Sequence, residues 1–151
     1  MDLVNFTRIA SIVPPKHLIY LLNSIFRAAD NVMTSHGLEK IKTIGDAYLA
    51  VCGLPHESSD HAKRVVKAAL EICNYVKESN SKFQIRIGVN SGPVVAGIVG
   101  VKKYAYDIWG DTVNTANRME THSEPNKINI SISTYELVKD TYPCTPRGKV
   151  S

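Results

Sequence analysis

Long apolar runs are missing from these 151 residues. No stretch approaches the ~20 apolar residues that a membrane-crossing helix requires, and no secretory-leader pattern opens the chain. Cysteine is scarce. Cys52, Cys73 and Cys144 are odd in number and widely separated, without metal-ligand spacing, which excludes a disulfide framework or a zinc cluster as the organising element. Reduced thiols in a cytoplasmic compartment are the expectation. Dense runs of Lys or Arg are absent too: 18 basic residues against 14 acidic ones leave a formal charge of +4. That excess suits an anionic ligand and argues against nucleic acid as the partner. No repeat or low-complexity tract divides the chain. What is present, 44% hydrophobic and 21% charged, implies one globular domain over 1–151, large enough to bury a core.

Periodicity supplies the elements. MDLVNFT reads as the end of a strand followed by a turn. From Pro15 to about His36, Leu18, Leu21, Leu22, Ile25, Phe26, Ala29 and Val32/Met33 recur at helical spacing, with Pro14-Pro15 at the start and Gly37 at the end. Lys40–Ile44 and Ala47–Cys52 alternate as strands around Gly45-Asp46, a hairpin signal. Asp60 is expected to cap a second helix running to about Ser79, followed by a polar segment over 78–82. FQIRIGVN is a strand, SGPVVAGIVG a small-residue strand after a turn, and KKYAYDIW another extended piece. Asp111 is expected to cap a helix over GDTVNTANRMETH. Lys127–Ser133 reads as a strand with Ile128, Ile130 and Ile132 on one face, and Ser133–Glu136 as the capping box of a last helix. The fold class implied is α+β: a ferredoxin-like βαββαβ core, mainly antiparallel, with helices on one face and the first strand largely missing.

Three places carry side chains suited to chemistry. Asp2 sits at a strand end before the turn Val4-Asn5-Phe6-Thr7; such a carboxylate suits a hard cation, and the following backbone N–H groups suit phosphate. Asp46, at the hairpin tip, is by itself an ordinary turn residue. If the first strand lies beside the hairpin, however, Asp2 and Asp46 share one end of the sheet and make the minimum carboxylate set for a two-Mg²⁺ site. In the run Asp107–Met119, Asn114 and Arg118 stand at i and i+4 and share a helix face, where an amide and a guanidinium can position a ribose and stabilise phosphate charge. A solvated polar face explains the same spacing.

In order and spacing, MDLVNFT, EKIKTIGDAYLAVCGLP, IRIGVNSGPVVAGIVG and YDIWGDTVNTANRME resemble the landmark motifs of class III nucleotidyl cyclase catalytic domains, the adenylate and guanylate cyclases. The resemblance spans nearly the whole chain. It implies that Asp2 and Asp46 hold two Mg²⁺ or Mn²⁺ ions, that Lys42 and Asp107 read the purine, and that Phe6 and Thr7 cradle phosphates through backbone N–H groups. Asn114 would orient the ribose and Arg118 stabilise the transition state. Lys and Asp at the purine positions match the adenylate type. The expected activity is therefore conversion of ATP to cyclic AMP and pyrophosphate; guanylate cyclase, or a non-catalytic nucleotide-binding or dimerisation module, is the alternative. The family pattern further implies a head-to-tail homodimer, or a heterodimer with another cyclase domain, with Asp2 and Asp46 from one chain facing Lys42, Asp107, Asn114 and Arg118 from the other. Family members carry a full strand before the metal-binding Asp and a hairpin after the Arg-Gly seen at Arg147-Gly148. The chain is accordingly expected to be a fragment of such a domain, the cytoplasmic part of a larger, membrane-attached or sensor-linked protein.

Overall fold

The computed structural model describes residues 1–79 and 82–149; positions 80 and 81, in the middle of the polar segment expected over 78–82, lie outside them. The elements run β1 (Asp2–Leu3), α1 (Phe6–Ile12), α2 (Pro15–His36), β2 (Glu39–Ile44), β3 (Ala47–Val51), α3 (His61–Glu78), β4 (Ile85–Val89), β5 (Val95–Val99), β6 (Ala105–Trp109), α4 (Asp111–Thr121), β7 (Lys127–Ile130) and α5 (Ile132–Val138).

The sheet is built around the shortest strand. On one side β1 pairs antiparallel with β4, Asp2 opposite Arg86 and Leu3 opposite Ile85. On the other, Met1 and Tyr48 exchange backbone bonds of 3.0 and 2.7 Å, which brings β3 alongside. With β2 paired to β3 and β7 parallel to β4, the strands follow the order β2-β3-β1-β4-β7. This is the ferredoxin-like arrangement expected, extended by β7, with β5 and β6 forming a separate antiparallel hairpin.

Ile25, Ala29 and Met33 of α2, Ala69, Ile72 and Val76 of α3, and Ile85, Ile87 and Val89 of β4 bury one another into the main core. Tyr48 ties the layers: its hydroxyl donates to Asp30 on α2 at 2.6 Å, and its ring tilts against Phe26. The opposite face of β4 carries α4. That contact depends on Gly88, because a Cβ there would fall 2.0 Å from the Glu120 backbone nitrogen and 2.5 Å from the Ala116 carbonyl oxygen. Alternation along β4 thus puts its isoleucines toward α2 and α3 and its glycine toward α4.

Several local expectations need correction. The segment read as a turn through Phe6-Thr7 is the start of α1, a two-turn helix entered through Asn5 at φ 57°. It ends at Val13, which the following Pro14 holds extended. Asp60 occupies the N-cap of α3 as expected, its carbonyl accepting the Arg64 N–H at 3.1 Å, but its side chain makes no cap bond. Asp60 accepts from Ser58 and from Arg64 instead, and Asp111 is already the first residue of α4. The strand expected to reach Ser133 stops at Ile130. Ser131, not Ser133, caps α5, its Oγ accepting from the Thr134 N–H at 3.3 Å, which leaves Ile132 79% exposed.

Since backbone and not a flexible side chain faces Gly88, α4 has no inexpensive way to yield. Gly88→Ala is expected to cost on the order of 3 kcal/mol or more, or to prevent folding, as read from the urea midpoint.

Candidate active site

Placing β1 between β3 and β4 draws acidic and basic groups together on the α4 side of the sheet. Asp2 and Arg86 are cross-strand partners on one face, and the guanidinium forks the carboxylate: Nε donates to Oδ1 at 3.2 Å and Nη2 to Oδ2 at 3.0 Å. Nη1 donates to the Thr121 carbonyl at the end of α4, 3.1 Å away. The β2–β3 tip closes over β1, and Asp46 Oδ2 accepts the Leu3 N–H at 3.2 Å. The two carboxylates expected from the sequence therefore lie on adjoining segments. Immediately downstream, the first intrahelical bond of α1 runs from the Ile9 N–H to Asn5, so the N–H groups of Phe6 and Thr7 precede the helical ladder. Phe6 is half-buried against the core and Thr7 is exposed.

Below Asp2 sits Glu120, buried on α4. Burial, then its hydrogen bond with Asp2, pushes its carboxyl up to about 7. The Met1 ammonium, 4.0 Å away and buried, is lowered by that burial. Asp2 in turn raises the Arg86 guanidinium above its ordinary value.

A second group lies where β2 meets β6. A register shift between Lys40 and Lys42 marks a bulge in β2, and beyond it Lys42 Nζ reaches Asp107 Oδ2 at 2.7 Å. Asp107 also accepts from the Ile108 N–H at 2.8 Å; Lys42 and this backbone donor hold its carboxyl below the usual carboxylate range. The two residues expected to read a purine are thus in contact with each other. Asn114 and Arg118 occupy the exposed face of α4. Arg118 Nη2 donates to Thr115 at 3.1 Å, and the Asn114 side chain has no hydrogen-bond partner among the described residues. No hydrogen bond or ion pair among the described residues joins this group to Asp2, Asp46, Phe6 or Thr7. A cavity of about 760 Å³ between β3 and the β4–β5 connection is lined by none of the candidate site residues named from the sequence. The candidate site is instead two separate, partly exposed constellations.

The donor chemistry of the first constellation fits a small hard cation. Two carboxylates from adjoining segments suit Mg²⁺ or Mn²⁺, which bind one or two protein carboxylates and complete their shells with water and phosphate oxygens. Among the described residues no cluster of three or more His, Cys, Asp or Glu is present. Arg86 and Glu120 were not identified from the sequence. The one available signal for Arg86 was a charge inside an otherwise apolar strand; for Glu120 it was the α4 spacing from Ala116.

The β5–β6 hairpin and the end of β2 carry exposed apolar side chains. Ile44, Val95, Ile98, Val101 and Tyr104 are exposed, Ile98 by 70% and Val101 by 90%, and all but Ile44 belong to the β5–β6 hairpin or its loop.

Glu120 yields a test of the first constellation. A carboxyl with a higher pKa folded than unfolded keeps its proton longer in the folded chain. The contribution of Glu120 to stability therefore falls as pH rises from about 4.5 to about 7 and levels above. With chelator present, Glu120→Gln is expected to flatten that decline and to be more stable than the parent at pH 8 by roughly 2 kcal/mol, from urea unfolding across pH.

The family model for the adenylate and guanylate cyclase catalytic domain matches residues 1–151. An adenylate cyclase of Mycobacterium tuberculosis (strain ATCC 25618 / H37Rv) is 37% identical over 154 residues, covering 99% of this chain and 35% of that protein. The receptor-type guanylate cyclase gcy-5 of Caenorhabditis elegans is 40% identical over 160 residues, covering 99% of this chain and 14% of its own length. This chain therefore spans well under half of either relative. Among solved structures, the guanylate cyclase domain of RhGC from Catenaria anguillulae in complex with GTP superposes with a TM-score of 0.87 at 43% identity, covering 91% of this chain and 78% of that one.

Proposed function

The chain belongs to the adenylate and guanylate cyclase catalytic-domain family, and from that premise we propose that it is the catalytic domain of an adenylate cyclase, forming cyclic AMP and pyrophosphate from ATP. The observation that carries the adenine assignment is the 2.7 Å contact of Lys42 with Asp107. Adenine presents an acceptor at N1 and a donor at N6, and an ammonium beside a carboxylate matches that pair in order. Guanine presents N1–H and O6, so each group would meet its own kind.

In the reaction, the ribose 3′-oxygen attacks the α-phosphorus. A new O–P bond forms, the bond to the bridging oxygen breaks, pyrophosphate leaves, and the 3′-hydroxyl proton passes to solvent. Asp2 and Asp46 would hold the divalent cations. Bound there, two such ions supply an acidified 3′-hydroxyl and neutralisation of the triphosphate. Backbone N–H groups of Phe6 and Thr7 would cradle phosphate oxygens. Asn114, with no competing partner on the exposed face of α4, would orient the ribose, and Arg118 would meet the charge that grows on the α-phosphate oxygens.

The separation of the two constellations within one protomer supports a head-to-tail dimer, either a homodimer or a pairing with another cyclase domain. Asp2 and Asp46 of one protomer would complete a site with Lys42, Asp107, Asn114 and Arg118 of its partner, and the apolar β5–β6 surface would lie in the interface. No helix among the described residues is long and apolar enough to cross a membrane; a cytoplasmic domain, free or attached to a larger protein, is the proposed setting.

Incubation with ATP or GTP and Mn²⁺, followed by separation of the products, tests the assignment: cyclic AMP is expected, and cyclic GMP as the dominant product would overturn it. Lys42→Glu combined with Asp107→Cys is expected to shift preference toward GTP. Arg118→Ala is expected to lower kcat by about 10²–10³-fold, with little change in KM.

A further inference from the structure

We propose that Gly97 is a specificity-determining residue of the nucleotide site: by carrying no side chain, it keeps open a slot between the Trp109 indole and the Lys42–Asp107 pair that takes the flat face of a purine. The inference rests on the adenine reading above and adds the shape of the base site to it.

Register places the parts. In the β5–β6 hairpin Gly97 is the cross-strand partner of Asp107, and Val95 that of Trp109, so all four share one face. Directly opposed side chains on such a face have Cβ atoms about 4.5–5.5 Å apart. Any side chain at position 97 would therefore stand beside the Asp107 carboxylate, which Lys42 meets at 2.7 Å. A Cβ built on Gly97 finds one described atom outside its chain neighbours within 4 Å, Trp109 Cζ3 at 3.7 Å. The indole edge thus comes to within van der Waals contact of a side chain at position 97, and Trp109 stays 40% exposed. The result is a shelf with an aromatic surface at one end, a hydrogen-bonding pair at the other and bare backbone between them.

Neither conformation nor packing demands a glycine there. Gly88 and Gly100 have backbone atoms 2.0 and 1.8 Å from a would-be Cβ, and Gly45 has φ +57°. Gly97 has neither a backbone obstruction nor a left-handed φ. A glycine inside a strand weakens it, since it has no side chain to pack against its neighbours, and it often marks a place where a ligand approaches closely. Space next to Asp107 is what this one provides. A planar heterocycle contacting Trp109 and presenting its edge to Lys42 and Asp107 fits that space, whereas a branched side chain at position 97 would occupy it.

Mg²⁺-ATP and Mg²⁺-tripolyphosphate, the latter having no base, are titrated by calorimetry into the parent chain, Gly97→Val and Lys42→Ala. Emission of the single tryptophan is followed alongside. The parent is expected to bind ATP more tightly than tripolyphosphate, with ATP quenching Trp109. Gly97→Val is expected to lose about tenfold or more in ATP affinity and the quenching, to keep tripolyphosphate within about twofold, and to melt no lower than the parent, valine being a good strand former. Unchanged ATP affinity in Gly97→Val, or an equal loss for both ligands, would overturn the proposal. Lys42→Ala separates the levels. If it loses the base-dependent affinity while Gly97→Val keeps it, the slot falls and the adenine reading stands; if Lys42→Ala keeps it, both fall.

Discussion

Backbone bonding of the Met1–Leu3 segment on both sides, to β3 and to β4, is the constraint from which the rest of this structure follows. Asp2 and Leu3 face β4, while Met1 exchanges backbone bonds with Tyr48 of β3. Through that short segment the β2–β3 hairpin is joined to β4 and β7, and α2 and α3 acquire a common surface to cover. The same pairing sets Asp46 against the Leu3 N–H and Asp2 against Arg86. Backbone hydrogen bonds near the middle of a sheet, away from competing water, are each worth about 1 kcal/mol net and expensive to leave unmade. The geometry of the acidic constellation is thereby tied to the integrity of the core.

The polar cluster around Asp2 is balanced within the chain itself. A carboxylate next to Glu120 and near Asp46 gathers like charge, and two features relieve it. Arg86 forks Asp2 and is anchored on the Thr121 carbonyl, and Glu120 holds its proton up to about 7. Both devices neutralise charge that a divalent cation would otherwise balance. An ion binding there would compete with the guanidinium for Asp2, and a released Arg86 would stand beside any phosphate brought with it.

The parts of this arrangement set by local pattern were legible in the sequence. The β2–β3 hairpin follows from period-2 alternation around Gly45-Asp46, and α2 and α3 follow from their apolar stripes. Shorter elements were not. α1 is only seven residues long, too short for periodicity to distinguish from a turn. At Ile132 the apolar alternation of β7 continues in sequence after the chain has already turned into α5, because Ser131 captures the Thr134 N–H first. The Lys42–Asp107 contact spans 65 positions and needs the bulge in β2, so no spacing rule reveals it; the motif resemblance pointed to both residues without showing that they touch. Gly88 and Arg86 belong to the face of β4 away from the main core, and reading that face required knowing that α4 covers it.

The mutual pairing of Lys42 and Asp107 bears on how a base would be chosen. In the chain alone each satisfies the other, so a nucleobase has to replace a charge-assisted contact rather than fill an unmet need. Adenine supplies an acceptor for the ammonium and a donor for the carboxylate, leaving both groups paired as they separate. Guanine would break the same contact while offering N1–H to a donor and O6 to an acceptor, leaving two partly buried polar groups unmatched at about 1–3 kcal/mol each. The contact in the free chain is given up to either base and so cancels between them; the discrimination would rest on the groups that guanine leaves unmatched in the complex.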